Sequence, residues 1–564
     1  MSNFTFRWLL LALGLLAGPV VAQPTWQWAT PLNTTAPYSW PTFTEAEADA
    51  AGNTVVAGYF QGTVRVGNFT LTSAGGADVL VARISPTGQW LQAVQGGGAA
   101  DDYAYDLALD AAGNATVAGV FEVSSSSQPG FTTTFGTTTL TATGSKDSFV
   151  ATLSTGGTWT RVLRVGNTAS CIVAAVRYEA NGTLLVAGGF EGPSLTLGST
   201  TLGSRARETP FVAQLTLGGQ WQQAAAPAVT YLSNNANFGI SEIARDPAGA
   251  LVVAGVFRGT VQLDFYTLTN QSSSSTGDLF VGRLDNYGQW QQMAQGGGSS
   301  DDYPTAFVLT PAGEVLIGGA LSGTSTARFG AFTAPLSGNN DAFVARLSPG
   351  GQWTQLLVGG GAGADDVTSL VLDAAGQVFA VGSFSVAPSG SATGITFGTT
   401  TLTSVGPSDN FVTRITPAGW GPMLQFGSAS YDYLTAACAL PTGGVAVVGA
   451  YYAGPIAFGS ISLNDPNGNT YVAHLAGLGL ATAAPTPAAR FALAPNPATG
   501  TVRLTWPEAS NSARPVKLLD ALGREVRRQV LPARATAATL DVAGLTPGLY
   551  VVRCGAAATR LQVE

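Results

Sequence analysis

Three acidic doublets recur in one kind of setting. Gly96-Gly97-Gly98 precedes Asp101-Asp102-Tyr103, Gly296-Gly297-Gly298 precedes Asp301-Asp302-Tyr303, and Gly359-Gly360-Gly361 precedes Asp365-Asp366. A fourth stretch reads Tyr431-Asp432-Tyr433. Carboxylates beside pliant glycine backbone could coordinate Ca²⁺, which takes about six to eight oxygen ligands. The adjacent tyrosines could stack on sugar rings. The competing reading is architectural: each Asp caps the turn into a strand and the glycines set the shape of that turn. The candidate binding residues are Asp101, Asp102, Tyr103, Asp301, Asp302, Tyr303, Asp365, Asp366 and Asp432, with Ca²⁺ as the candidate cofactor.

Little else in the chain offers chemistry. His474 is the only histidine, so a Ser/His/Asp triad could be built only around it. It stands where other repeats carry Arg83, Thr152, Gln214, Arg283, Arg346 and Arg414, which is the tolerance of a polar strand position. Cys171, Cys438 and Cys554 lie far apart without CxxC spacing, so neither a zinc site nor a disulfide framework is implied. HExxH, Walker A and EF-hand patterns are absent. The segment "SPTGQW" is similar to the Asp box of sialidase propellers, but Thr87 stands where that box has its Asp. Paired carboxylates for glycoside hydrolysis stay open, because a closed fold can join distant segments; no pair stands out.

The elements that must position these residues come from a repeat. Trp26, Trp90, Trp159, Trp221, Trp290, Trp353 and Trp420 follow one another at spacings of 62 to 69 residues, within phrases such as "DVLVARISPTGQW" and "DAFVARLSPGGQW". A period of this size marks a repeat architecture. Within "YDLALDAAGNATVAGVF" an apolar stretch reaches Asp110, turns through Gly113 and returns to Phe121, which is a hairpin. The turn recurs at Asp49–Gly52, Glu179–Gly182, Asp246–Gly249, Thr310–Gly313, Asp373–Gly376 and Leu440–Gly443. The returning strand keeps a glycine at 58, 119, 188, 255, 319, 382 and 449, which predicts close backbone approach. A Gly/Ser/Thr-rich connection of variable length leads to a second hairpin that ends in the Trp strand. Each unit therefore reads as four strands, A to D.

The last C strand, Thr470 to Leu475, has no Trp strand after it, and the chain opens with an orphan one, Thr25 to Thr30. In a ring the N-terminal strand completes the last unit and removes the exposed sheet edges. The expected fold is all-β: a seven-bladed β-propeller of four-stranded blades over residues 23–477, closed by the N-terminal strand. A parallel β-helix is the alternative, but its coils are far shorter than this repeat. The Trp is expected to wedge between neighbouring blades. "DAAGNATVAGVF" and "FVARLSPTGQW" resemble the bacterial SBBP-like repeat proteins with propeller-type units. That resemblance covers most of residues 40–475 and implies fold, not activity.

Only 10% of residues are charged, and glycine numbers 72, which suits a β-rich extracellular protein. Residues 487–564 hold ten Lys and Arg against five Asp and Glu, while the body before them is strongly acidic. An acidic body argues against nucleic acid, which needs a basic footprint. Residues 1–22 read as a signal peptide: Arg7, an apolar run from Leu9 to Leu16, and Val20-Val21-Ala22 before Gln23. No other segment reads as membrane-spanning, so the mature chain is expected to be exported.

Residues 478–489 form a Pro/Ala-rich linker, and residues 490–564 suggest a small Ig-like β-sandwich. Pro495-Asn496-Pro497, Gly500, "DALGREV" at 520–526 and "LTPGLYVVR" at 545–553, with Gly548 and Tyr550, resemble the type A C-terminal sorting domain of the bacterial type IX secretion system. Many such tails end near a basic residue, whereas this one ends "RLQVE". The resemblance implies passage across the inner membrane by the signal peptide and across the outer membrane by the tail, with the type IX machinery as partner.

Together these readings predict a secreted or surface-displayed, non-enzymatic binding or adhesion scaffold, with an extracellular glycan or protein as ligand. An extracellular carbohydrate-active enzyme and a structural envelope component without a small ligand are the alternatives.

Overall fold

The computed structural model describes residues 24–34, 41–122, 131–204, 207–271, 276–323, 325–386, 395–465, 469–477, 492–505, 513–520, 524–554 and 557–564. The expected signal peptide and the Pro/Ala linker lie outside these residues. The chain divides into two compact units, one spanning Gln23–Gly479 and one containing the tail. Among the described residues every regular element is a β-strand, and no helix is long and apolar enough to cross a membrane.

The larger unit is propeller-like. Among the described residues it holds seven four-stranded antiparallel cores. Their first strands are Thr42–Ala48, Asp101–Leu109, Cys171–Tyr178, Asn237–Arg245, Asp302–Leu309, Asp366–Leu372 and Asp432–Ala439. In the seventh core the order is Asp432–Ala439, Val445–Tyr451, Asn469–Ala476 and then Thr25–Pro31 from the chain's beginning. Trp26 pairs with Leu475 and Thr30 with Val472, so the N-terminal strand supplies the seventh strand D. Strand A of the first unit also packs against strand A of the seventh.

The repeated glycine of strand B has a local cause. Every strand A carries a β-bulge, at Phe43/Glu45 in the first unit and at Val367/Ser369 in the sixth. The extra residue pushes strand A's backbone onto strand B. A Cβ at Gly119, Gly188, Gly319 or Gly382 would lie 1.9 Å from a strand A carbonyl oxygen. The close approach is thus to the unit's own bulged strand, not to strands crowding a common axis.

The connection between strands B and C is not irregular. In each unit it folds into an extra two-stranded hairpin, such as Thr132–Phe135 with Thr138–Thr141. The turn residue is a glycine with φ of 58–62° at 67, 136, 198, 330, 398 and 459, with Asp264 (φ 51°) in the fourth unit. Three of these hairpins pair with strand D of the preceding unit: Thr133 with Gly98, Phe329 with Gly296 and Phe397 with Gly359.

The recurring Trp does sit between units. The indole N–H of Trp159 donates to Gln95 O at 3.1 Å, that of Trp290 to Ala228 O at 2.9 Å, and that of Trp353 to Gln295 O at 3.0 Å, each in the unit before. The ring meets its own unit's hairpin edge-on, Trp159 on Phe135 at 4.9 Å and Trp353 on Phe329 at 5.0 Å. At the turn end of strand C, Arg83 bonds to Asp49 in its own A–B turn and to Gly113 O in the next unit's turn. Arg283 repeats this with Asp246 at 3.1 Å and Gly313 O at 2.9 Å. His474, at the same strand position, is buried against Trp28 instead, and burial lowers its pKa.

The tail has two antiparallel sheets. Ala492–Ala494, Thr501–Thr505 and Ala537–Asp541 form one; Glu525–Leu531, Arg514–Leu519, Gly548–Cys554 and Ala557–Val563 form the other. Val502, Leu504, Val516, Leu518, Val552 and Leu561 share one core between them.

Trp290→Ala is expected to cost about 3–5 kcal/mol, the range for deleting a buried aromatic. Gly382→Ala should also destabilise, because its Cβ would meet Asp366 O at 1.9 Å. Melting temperatures measured by circular dichroism check both. Values equal to wild type would contradict the packing roles.

Candidate functional site

The glycine triplets lie at the ends of strands D and the acidic doublets at the starts of strands A, on either side of the short D-to-A loops where one unit hands over to the next. Each glycine does a separate job. A Cβ on Gly96, Gly296 or Gly359 would lie 2.2–2.3 Å from the ring of Phe135, Phe329 or Phe397 in the next unit's hairpin. A Cβ on Gly97 would lie 2.3 Å from the Asp78 carboxyl. The third residue donates its N–H to an aspartate four positions on: Gly98 to Asp102 at 2.7 Å, Gly298 to Asp302 at 2.7 Å, Gly361 to Asp365 at 2.8 Å, and Ser428 to Asp432 at 2.5 Å.

This spacing corrects the alignment of the doublets. Asp102, Asp302, Asp365 and Asp432 are equivalent, and all four are buried. Asp366 therefore stands where Tyr103, Tyr303 and Tyr433 stand, and its carboxyl accepts from Ser383 N. Asp101 and Asp301 accept from Ala77 N and Gly277 N at the start of the preceding unit's strand C. The capping geometry is thus present at every doublet. The candidate acids are spread over separate units, and among the described residues no three His, Cys, Asp or Glu side chains group to hold a metal.

A second row of acids backs the first. Asp78, Asp278, Asp341 and Asp409 begin strand C, are at most 1% exposed, and accept loop N–H groups from Ala74, Gln271, Ser337 and Val405. Burial pushes Asp102, Asp302, Asp365 and Asp432 up to about 7, and the strand C acid beside each adds to the rise. Burial also pushes Asp278 up to about 7, and Asp78 and Asp341 up to about 6.

What these loops expose is aromatic. Tyr303, Tyr431, Tyr433 and Tyr452 are 40–49% exposed. Tyr431 and Tyr433 lie parallel, with 9° between planes and centroids 6.3 Å apart, and Tyr452 stands edge-on to both at 6.2 and 5.9 Å. Tyr103 meets Tyr59 edge-on at 4.8 Å across the junction of the first two units. Tyr452 and Tyr59 were not singled out in the sequence, because they end strands B whose apolar pattern hides them.

The bulges of strand A aim a second set of side chains into a central cavity of about 770 Å³. One wall carries Glu45, Glu47, Asp106 and Glu242 around Arg177; the other carries hydroxyls, among them Thr305, Ser369 and Thr435. Glu47 accepts from Leu109 N and Asp106 from Val176 N, each in the following unit. Burial, then Asp106, pushes Glu242 up to about 8, partly offset by Arg177. Burial and mutual repulsion also raise Glu45, while burial raises Glu47 and Asp106. Burial would lower Arg177, but Glu47, Asp106, Glu242 and Glu45 outweigh it and hold it above its ordinary value. This lining can attract a cation or hold a proton. No single segment reveals it, because the residues come from four repeats.

In the tail, the Asn496 side chain grips the last strand: Nδ2 donates to Arg560 O at 2.9 Å and Oδ1 accepts from Gln562 N at 2.8 Å. Pro495 and Pro497 flank it on the surface, Gly548 opens the strand Gly548–Cys554, and the buried Tyr550 donates to Thr546 O at 2.8 Å.

Comparison with known proteins divides along the same line. No curated protein matches the chain. Among solved structures, the Neurospora crassa Pan2 WD40 domain is similar at 10% identity and TM-score 0.36, over 77% of this chain and 89% of that one. A protein of unknown function from Dyadobacter fermentans DSM 18053 is similar at 12% identity and TM-score 0.36, over 81% and 100%. Residues 492–563 match the family described as the secretion system C-terminal sorting domain. The tail that Asn496 and Tyr550 brace is therefore a C-terminal sorting domain for type IX secretion, carried behind a propeller-like all-β body.

Proposed function

We propose that this chain is a non-enzymatic binding scaffold, displayed on or released from the cell surface after type IX export. Its body is read as a seven-bladed β-propeller of SBBP-like repeats and its tail as an Ig-like sandwich. Residues 1–22 serve as the signal peptide in this reading. The sorting-domain match carries the export step. The observation that carries binding is the exposed trio Tyr431, Tyr433 and Tyr452 on the D-to-A loop face. Flat aromatic rings with outward hydroxyls suit the C–H faces and hydroxyls of a glycan. The aspartates of the same loops already accept backbone N–H groups, which leaves the tyrosines as the contact surface. Ca²⁺ enters this reading only as a ligand of Asp101 or Asp301, whose carboxyls are the more exposed of the doublets.

A carbohydrate-active channel is the second reading. Glu242, pushed up to about 8, would be protonated at neutral pH beside Asp106, whose ionised form Arg177 favours, and an acid paired with a carboxylate is what glycoside hydrolysis needs.

Three measurements separate these readings. On a glycan array with calcium, the chain from residue 23 onward should bind selectively, and Tyr431→Ala/Tyr433→Ala should bind at least about tenfold more weakly, a loss of ~1.4 kcal/mol. A blank array for the wild type would sink the glycan assignment, and loss of signal with chelator would add calcium to it. A reporter fused to residues 487–564 should cross the outer membrane in a host with type IX machinery; periplasmic retention would overturn the export step. Polymer breakdown abolished by Glu242→Gln would favour the enzyme over the scaffold.

A further inference from the structure

At four junctions between consecutive units, an aspartate from strand C of one unit faces an aspartate from the start of strand A of the next. The pairs are Asp78 with Asp102, Asp278 with Asp302, Asp341 with Asp365, and Asp409 with Asp432. All eight side chains are at most 2% exposed. In two pairs the members converge on one glycine, and in the other two Asp78 lies against Gly97 and Asp409 against Gly427, each next to the residue whose N–H Asp102 or Asp432 accepts. A Cβ on Gly360 would lie 2.5 Å from Asp341 Oδ1 and 2.7 Å from Asp365 Oδ2, and one on Gly297 would lie 2.4 Å from Asp302 Oδ2 and 2.8 Å from Asp278 Cγ. One carboxyl oxygen of Asp78, of Asp278 and of Asp432 has no protein hydrogen-bond partner. Two buried carboxylates brought side by side cannot both stay ionised without cost.

We propose that each pair is a proton-binding site: one proton, shared between an acid of one unit and an acid of the next, fastens that junction. The three remaining junctions fit this by contrast. Asp147 has Cys171 where Asp102 would stand, and it pairs instead with Arg164 at 2.7 Å. Thr209 and Asn469 replace the strand C acid in the third and seventh units. The chain thus supplies a cation or an uncharged side chain wherever the second acid is missing. A metal is the poorer occupant, since among the described residues no pair belongs to a group of three His, Cys, Asp or Glu side chains that could hold a metal ion.

The neighbours set the pH range. Asp101 and Asp301 adjoin the first two pairs, and Arg258 reaches Asp301 at 3.3 Å. Asp366 adjoins the third pair, while Tyr451 and Tyr471 stand by Asp432. Gln95, Gln271 and Gln425 contribute uncharged amides. Burial raises Asp78, Asp102, Asp278, Asp302, Asp341, Asp365 and Asp432 from an unfolded value of 3.8 to about 6–7. A group raised in the folded state binds its proton more tightly there, so its stabilisation is full below about pH 4 and is lost as pH rises through 6–7. His474, lowered by burial, opposes this below its ordinary value.

The test replaces Asp78, Asp278, Asp341 and Asp409 with Asn, which can still accept the loop N–H groups, as the natural Asn469 shows such a residue can be buried there. The wild-type full chain should melt higher at pH 5 than at pH 8, and the quadruple variant, in which each Asn amide N–H can donate to the remaining carboxyl and keep it ionised, should lose most of that difference. Unfolding at pH 6 should release about four more protons from the wild type than from the variant, by linkage. If the variant does not fold, the infrared C=O band of buried carboxylic acid in the wild type at pH 6 decides: its presence supports the shared proton and its absence overturns it. Equal pH slopes for the two proteins would overturn the proposal, as would calcium raising the wild-type melting temperature at pH 8 but not the variant's.

Discussion

A four-stranded twisted sheet has two faces to bury and cannot bury either by itself, so each unit of this protein depends on the units on either side. That dependence shapes the junctions more than the units. The indoles of Trp159, Trp290 and Trp353 donate backward to the preceding unit, hairpins such as Thr132–Phe135 pair backward with its strand D, and Arg83 and Arg283 reach forward to the next turn. Trp159, Trp353 and Trp420 each meet a hairpin phenylalanine edge-on, and an aromatic ring buries on the order of 200 Å², worth several kcal/mol at about 25 cal/mol per Å². A linear array would leave its first and last units with uncovered faces. Pairing of Thr25–Pro31 with Asn469–Ala476 gives the seventh unit its strand D from the other end of the chain.

Much of this was legible because the repeat displays itself. The Trp phrase, the A–B turn and the strand B glycine recur with small change, and the orphan Trp strand at the beginning matched the missing one at the end. The outer hairpins were not legible. Their strands are three or four residues long and rich in threonine, as in Thr132–Phe135, so they lack the apolar run that marks a strand. Their one signal, a small turn residue before a second short stretch, resembles an ordinary Gly/Ser/Thr loop until the repeats are stacked. The glycine triplets were read only as shaping the turn, because each glycine answers a partner from another part of the chain: Phe135, Asp78 and Asp102 for the first triplet.

The same logic separates site from scaffold. Acid doublets look like ligands when read along the chain, yet at the junctions their oxygens accept N–H groups of the loop and of the neighbouring unit. The third doublet is shifted by one, so Asp366 replaces a tyrosine rather than repeating Asp302, and only the four-residue step from Gly361 to Asp365 reveals it. With the acids drawn inward, the outer face keeps tyrosines from different repeats, and the strand A bulges turn Glu45, Asp106 and Glu242 toward the cavity. Function is read from what the junctions leave over.

The central claim is that the first strand belongs to the last unit. Hydrogen exchange followed by mass spectrometry on the intact chain tests it directly. Amides of residues 25–31 should exchange as slowly as those of residues 470–475, since the two strands share one ladder. Rapid exchange of residues 25–31, as in a free terminus, beside slow exchange of residues 445–451 would contradict it.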